Sequence, residues 1–598
     1  MAATQDAVSA PIYPAGRRPA RAGRRLRILA APAIVYLAIF YFVPLIYILT
    51  TSITNPKVGF GNFGTALDAI NSLTLFKTIG VSLVCTAIVA VLGYPLAYVI
   101  NNVGPRLRMV LTLGVISPYM TSVLVRTFAW EVILGRLGPL PELLRLVGLN
   151  VQSLLQTWTG LGLGLIQVCL PLFILPVFST MRGIDQSSVR AARSHGAGPA
   201  ETFCRIFFPQ TLPGIEVGLI LTFVSMAGSF VLPVVLGGQS SIMTGVVIDN
   251  QLNQEGAWGA ASATAIVLSV AIFIGIMILR LFGRRQREWL SARAGDTVVH
   301  KQRRGAGQLA GDVVVGVARF LDKSGLSRWR WPWLVLVVIL EVYLFVPQLI
   351  SIPVSFSGTQ TLVFPPHGLS LSWYREFATP QWTGPLWTSL VVAPTAAVVA
   401  TLLGALAAIG LERMASTRIR NWIAGMMLTP IIVPLIVAAV GFYLVLEKVN
   451  LVDTLSGLIL SETSIVIPIA FIVCRASIQS LDPAYERAAN SLGARRVRVL
   501  QKILFPLIRP ALVVSLLFAF LFVFDEVVLP IFITAVYVNV LPKQMYQSLA
   551  YASDPTIAVV GVLSLAMSGA VLALSLAMQR RSKIAALGSL PVGGGISR

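Results

Sequence analysis

Three carboxyl groups stand where a chain rarely places charge. Asp525 and Glu526 fall in the apolar run FLFVFDEVVLPIF, and Glu131 falls in SVLVRTFAWEVIL, five residues after Arg126. A charge deep in hydrocarbon costs several kcal/mol unless it meets water, a partner or a cation, so such residues default to functional candidates. Fifteen residues of helix from Pro510 carry Asp525 roughly 22 Å into the bilayer. Adjacent helical residues point about 100° apart, so one of Asp525 and Glu526 is expected to face a solute path while the other braces a neighbour. Bracing of helices remains open for both, as does an internal Arg126–Glu131 pair. Tyr119, Trp130 and Trp258 are weaker pathway candidates, because aromatic residues in spans more often pack or anchor. No catalytic residue emerges: there is no convergent nucleophile or acid–base pair. No metal site is expected either, since His195, His300 and His367 are scattered and the four cysteines, Cys85, Cys169, Cys204 and Cys474, form no CxxC. The chemistry these residues suit is passage of a solute.

The elements that position them are membrane spans. Apolar residues make up 56% of 598 positions, charged ones only 12%, and mean hydropathy is +0.81. The net charge of +22 would suit nucleic acid, but Lys and Arg gather in short connections between apolar runs, the pattern of a cytoplasmic face. Spans are expected near 28–51, 76–100, 109–134, 158–180, 214–236 and 258–282. Six more are expected near 332–356, 384–411, 421–446, 458–480, 511–536 and 556–579. Basic connections (Arg106, Arg108; Arg182, Arg190, Arg193, Arg205; Arg413, Arg418, Arg420) and the C-terminal Arg580, Arg581 and Lys583 place both ends of the chain inside.

One stretch occurs twice. DQSSVRAARSHGAGPAETFCRIFFPQTLP, 185–213, and DPAYERAANSLGARRVRVLQKILFPLIRP, 482–510, align without a gap at a spacing of 297 residues. They agree at Asp185/Asp482, Arg190/Arg487, Ala191/Ala488, Ala192/Ala489, Ser194/Ser491, Gly196/Gly493 and Ala197/Ala494. They agree again at Ile206/Ile503, Phe208/Phe505, Pro209/Pro506 and Pro213/Pro510. Half the chain length as a repeat period means a duplicated unit. Within each copy an Asp N-cap opens a short helix, the Gly stops it, and a second amphipathic segment leads to the prolines. Each copy is thus a basic helix–Gly–helix elbow between two spans. The domains follow: a tail 1–27, a first six-span unit 28–282, a basic linker 283–331, a second unit 332–579 and a tail 580–598.

The pattern x-Ala-Ala-x-x-x-Gly-Ala, an apolar stretch and Pro-x-x-x-Pro resembles the EAA loop of the permease subunits of ATP-binding-cassette importers. The resemblance covers nearly the whole chain apart from the N-terminal tail and the central linker. It implies an all-α integral membrane fold of twelve transmembrane helices, two tandem six-helix type I importer permease domains. It also implies that Arg190, Ala191, Ala192, Gly196 and Arg487, Ala488, Ala489, Gly493 couple to two cytoplasmic ATPase subunits. In one respect the sequence departs, for the usual Glu of the motif is Arg190 and Arg487, with Glu486 beside the second.

The stretches SPYMTSVLVRTFAWEVILGRLGPL, 117–140, VVLGGQSSIM, 234–243, and Phe-Asp-Glu-Val-Val are similar to the polyamine type within that family. The function implied is import of a small solute, spermidine or putrescine first, delivered by a periplasmic or extracellular binding protein. Opines, amino acid derivatives, phosphonates and ferric iron are the alternatives. The chain lacks a Gly-rich phosphate loop, so ATP and Mg belong to the partner subunits. It would be a multi-pass protein of the bacterial inner membrane, in contact with lipid and not with nucleic acid. A secondary transporter of the major facilitator kind is the rival from another class, but its motif between the second and third spans is unlike NNVGPRLR or LERMASTRIR here.

Overall fold

A computed structural model describes residues 26–295, 331–360, 363–414, 416–551 and 555–588. The expected N-terminal tail up to residue 25, residues 296–330 of the expected linker and residues 589–598 lie outside these. Among the described residues no strand forms beyond one isolated bridge, Ser357 to Leu369. Ten helices are long and apolar enough to cross a membrane, and two bent pairs raise the number to as many as twelve. The fold is all-α, in two tandem sets of spans.

In the first half these are α1 (Ile28–Thr54), α2 (Ala69–Asn102), the pair α3 (Pro105–Met120) and α4 (Val123–Leu134), α5 (Trp158–Arg182), the short α6 (Gln186–Ser194), α7 (Pro199–Ala227) and α8 (Trp258–Leu281). The second half repeats them as α9 (Pro332–Val354), α10 (Pro380–Glu412), the pair α11 (Thr417–Ile432) and α12 (Leu435–Lys448), and α13 (Leu455–Gln479). It continues with α14 (Pro483–Ser491), α15 (Leu500–Asp525), α16 (Val528–Ile533), α17 (Leu541–Tyr551) and α18 (Thr556–Ser575). Helix continues past α8 to Gly295 and past α18 to Gly588, so both run on into stretches read above as linker and tail.

Two expectations of straight spans give way. The third span of each half is bent by 96°, between α3 and the stretch that opens with α4, and between α11 and α12. Val433 is extended because it precedes Pro434, whose ring disfavours helix at the residue before it. In the first half the helix stops at Thr121, also extended, just after Pro118. The fifth span of each half also breaks before its expected end, at Ala227 and at Asp525. Irregular backbone at membrane depth is tolerated where protein buries it or where it lines a cavity.

The first span of each half crosses to the other half. The Tyr36 hydroxyl of α1 donates to the Leu460 carbonyl of α13 at 3.0 Å, and Ser464 donates to the Phe40 carbonyl at 3.2 Å. In return, Tyr343 of α9 donates to the Leu163 carbonyl of α5 at 2.5 Å, and Gln167 donates to the Leu344 carbonyl at 3.0 Å. Leu163 and Leu460 are equivalent positions of the repeat, 297 apart. Small residues set the closest approaches within each half. A Cβ at Gly93 of α2 would lie 2.8 Å from Phe173, and one at Gly404 of α10 would lie 2.7 Å from Ala470, the kind of contact that packs helices in lipid. The outer faces stay apolar, with Val91 71% and Leu402 59% exposed, a surface suited to acyl chains.

Candidate functional site

The two elbows are superposable in their hydrogen bonding. Asp185 Oδ1 accepts from the Ser187 amide and Asp482 Oδ1 from the Ala484 amide, both at 2.8 Å, so each caps its helix. Ser194 and Ser491 each donate to the carbonyl three residues back at 2.8 Å. The Ala197 amide donates to the Ala192 carbonyl at 3.2 Å, and the Ala494 amide to the Ala489 carbonyl at 3.0 Å. That six-to-one bond closes a Schellman turn, which needs a left-handed residue just past the helix. Gly196 and Gly493 supply it, with φ of +84° and +73°.

The chain then enters a wide π turn at 203–207 and, 297 residues later, at 500–504. It lies two residues before Pro209 and Pro506, which have no N–H to continue the ladder. Arg190, Ala191, Arg487, Ala488 and Gly493 are exposed, Ala192 is half-buried and Ala489 is buried. The neighbour on the inner face differs between halves. It is Val189, buried, in the first and Glu486, paired with Arg413 at the end of α10, in the second.

The second candidate region lies where the breaks meet. Arg126 of α4 is 2% exposed, and Asp525 at the end of α15 lies within its electrostatic reach. This partner comes from the opposite half. Tyr119 is half-buried and within the field of the same guanidinium. The equivalent of Asp525 in the first half, Gly228, packs on Pro434, since a Cβ there would lie 2.7 Å from the proline side chain. So the broken fifth span of each half sits against the bend of the other half's third span, with charge on one side of the molecule and apolar contact on the other.

Glu526 is not mid-helix as expected. Its carboxylate oxygens accept from the Val528 and Leu529 amides at 2.7 and 2.9 Å, the first turn of α16. Glu526 and Glu462 of α13 line one small cavity, with Ser389, Pro530 and Pro542, that has room for about one water. Trp130 is buried edge-to-face with Tyr343 at 5.6 Å. Glu131 is half-buried on the same helix, and Trp258, half-buried at the start of α8, packs on Tyr443 at 4.9 Å. The structure therefore brings Arg126, Tyr119 and Asp525 together, sets Glu526 with Glu462, and places Trp258 in a separate aromatic contact. Glu462, buried, and Glu341, half-buried, are further carboxyls in the spans and are not among the candidates above. A lone acid inside an apolar run, as in LSETSIVI and VVILEVYL, was the available signal.

Asp453, left-handed at φ +58°, clamps the loop after α16. Its carboxylate accepts from the amides of Ala535, Val536, Tyr537 and Val538 at 2.8–2.9 Å. Burial alone would raise this carboxyl, but the four amide bonds outweigh it and hold it below the ordinary aspartate range. A depressed folded value means the clamp holds above the unfolded value and is lost as pH falls through the folded one. Amides 535–538 are therefore expected to stay protected from hydrogen exchange at neutral and mildly acidic pH. Asp453→Ala should speed their exchange by about tenfold or more, since four donors lose a charged acceptor. Unchanged exchange in that variant would refute the clamp.

The family model described as "Binding-protein-dependent transport system inner membrane component" matches twice, at residues 89–288 and 400–583. The spermidine/putrescine transport system permease protein PotB of Escherichia coli (strain K12) is 29% identical over 254 residues, 41% of this chain and 92% of PotB. The putrescine transport system permease protein PotI of the same organism is 28% identical over 258 residues, 42% of this chain and 91% of PotI. Among solved structures, a chain of "a bacterial ABC transporter involved in the import of the acidic polysaccharide alginate" is 19% identical, with a TM-score of 0.38. That match covers 44% of this chain and 96% of the other.

Proposed function

The chain belongs to the family of binding-protein-dependent transport system inner membrane components, which it enters twice, and we infer from this that one polypeptide forms the whole membrane path of an ATP-driven importer. The observation that carries the reading is the doubled elbow, two short helices with the same caps and the same left-handed glycine at positions 297 apart. Two ATPase subunits, holding ATP and Mg, would grip Arg190 to Gly196 and Arg487 to Gly493. Their closure would move α6 and α14 and, through the π turns, α7 and α15. Helix α15 ends at the break where Asp525 lies within reach of Arg126, and α7 at the break where Gly228 packs on Pro434, so a push on either elbow would reach a break by rigid helix.

A binding protein would deliver solute on the face opposite the elbows, and the basic connections put both chain ends in the cytoplasm. The units 28–282 and 332–579 would be the two permease domains, joined by the 283–331 linker on the inner side. The proposed solute is a polyamine, spermidine or putrescine. The names of PotB and PotI support that choice, and the acids Glu131, Asp525 and Glu526 along the path would balance its charge, with Tyr119, Trp130 and Trp258 as further lining. The test is uptake of labelled spermidine into proteoliposomes that hold this chain with the ATPase and binding protein encoded beside it. ATP-dependent uptake that putrescine competes away is expected. ATPase activity stimulated by the loaded binding protein, without spermidine uptake, would keep the importer and discard the polyamine.

A further inference from the structure

The charge left free on the elbows has one sign. Four carboxylates lie in the two repeats, and each is engaged. Asp185 and Asp482 cap α6 and α14, Glu201 pairs with Arg205 at 3.1 Å, and Glu486 pairs with Arg413. Exposed around them are Arg190 and Arg193 in the first elbow, and Arg487, Arg495, Arg498, Lys502 and Arg509 in the second. Two cationic positions recur, Arg190/Arg487 and Arg205/Lys502, but Glu201 holds Arg205, so among the described residues only the first presents a cation outside any salt bridge in both copies. Arg193 faces Asn490 in the alignment, Arg495 faces Gly198, Arg498 faces Glu201 and Arg509 faces Leu212, whereas Arg190 faces Arg487. The residue just before that arginine turns inward in both copies, as buried Val189 and as the Arg413-bound Glu486. The pair on α14 thus sorts its charges, acid toward the body of the permease and base outward.

We propose that Arg190 and Arg487 are the recognition cations of the two elbows, and that each seats in an acidic recess of the partner ATPase. The inference rests on the importer reading above and adds the chemistry of the partner surface. A guanidinium presents a planar fork of donors matched to carboxylate, and an equal cation on both elbows calls for the same acidic recess twice. Anionic lipid headgroups are the competing source of negative charge. They need only charge density, whereas one arginine held in register in two diverged repeats points to a contact with fixed geometry.

The experiment captures the purified, tagged ATPase subunit of the uptake assay with the full chain in nanodiscs of zwitterionic lipid. Arg190→Glu and Arg487→Glu should each weaken capture about tenfold, and the double variant should lose it. Wild-type capture should fall between low and high salt. Arg190→Lys with Arg487→Lys should keep part of it, which separates charge from misfolding. Equal capture by the double glutamate variant would overturn the inference while leaving the importer reading intact. Failure of the wild-type chain to hold the ATPase at all would instead strike that reading. Capture that appears only when anionic lipid is added would also overturn the inference, in favour of the headgroups.

Discussion

Replacing Gly196 and Gly493 together with tryptophan is expected to abolish ATP-driven uptake while the protein still inserts and keeps its spans. Both glycines sit at positive φ, +84° and +73°, where an L-residue pays about 1–2 kcal/mol. If both elbows must form at once, the two strains multiply to roughly 30- to 700-fold fewer formed pairs, at tenfold per 1.4 kcal/mol. Nothing lies within 4 Å of a Cβ built at either position, so inside this chain the damage is one of conformation and not of crowding. The same open space is where the proposed partner would sit, and there the indole adds a clash that a small side chain does not.

Two milder variants divide the causes. Asparagine tolerates the left-handed region better than other residues, so the double Gly→Asn chain should retain most of its uptake. Double Gly→Ala carries the strain without the bulk and should fall between. Uptake at the wild-type level in the tryptophan variant would remove the elbows from the mechanism. Uptake lost in the tryptophan variant but kept at the wild-type level in the alanine variant would show that bulk at the partner surface, and not backbone strain, decides.

How far the fold could be read from sequence depends on whether a feature is local. The elbow was legible to the residue, because its cap, its glycine and its prolines all act within one turn of where they stand. The bend at Val433 also has a local cause in Pro434. The break after Asp525 does not announce itself, because apolar residues continue across FLFVFDEVVLPIF and only Pro530 hints that the helix cannot run straight through. Crossing of α1 and α9 to the opposite half is settled by packing among helices hundreds of residues apart. No period or cap in the chain records it. The same holds for charge. Arg126 and Glu131 suggested each other by spacing, yet the carboxyl in the field of Arg126 is Asp525, 399 positions away and in the other half of the repeat. Glu526 was read as a membrane-depth charge, and it proves also to hold the amides that open α16.

That long-range pair carries the second large effect. Asp525→Asn is expected to destabilise the assembled protein by up to about 3 kcal/mol, the attraction of two unit charges somewhat beyond contact distance at an effective dielectric constant near 20, since it removes the negative charge within reach of buried Arg126. The loss should appear as a lower melting temperature of the purified protein in detergent. Arg126 is buried, as are Leu124, Val125 and Phe128 beside it on α4, so apolar replacement of both Arg126 and Asp525 removes both buried charges. Arg126→Met with Asp525→Leu should therefore recover most of the stability, because well-packed apolar residues often replace a buried ion pair without penalty. Uptake is the separate question. If the pair only braces α4 against α15, the double apolar variant regains transport along with its melting temperature. If Asp525 also meets the solute cation at the break of α15, stability returns and spermidine uptake does not. The second outcome is expected, because the equivalent junction in the other half is held by Gly228 on Pro434 with no charge at all. Bracing at this bend does not by itself require a carboxylate, and opposite charges placed on one side alone are better accounted for by what passes beside them.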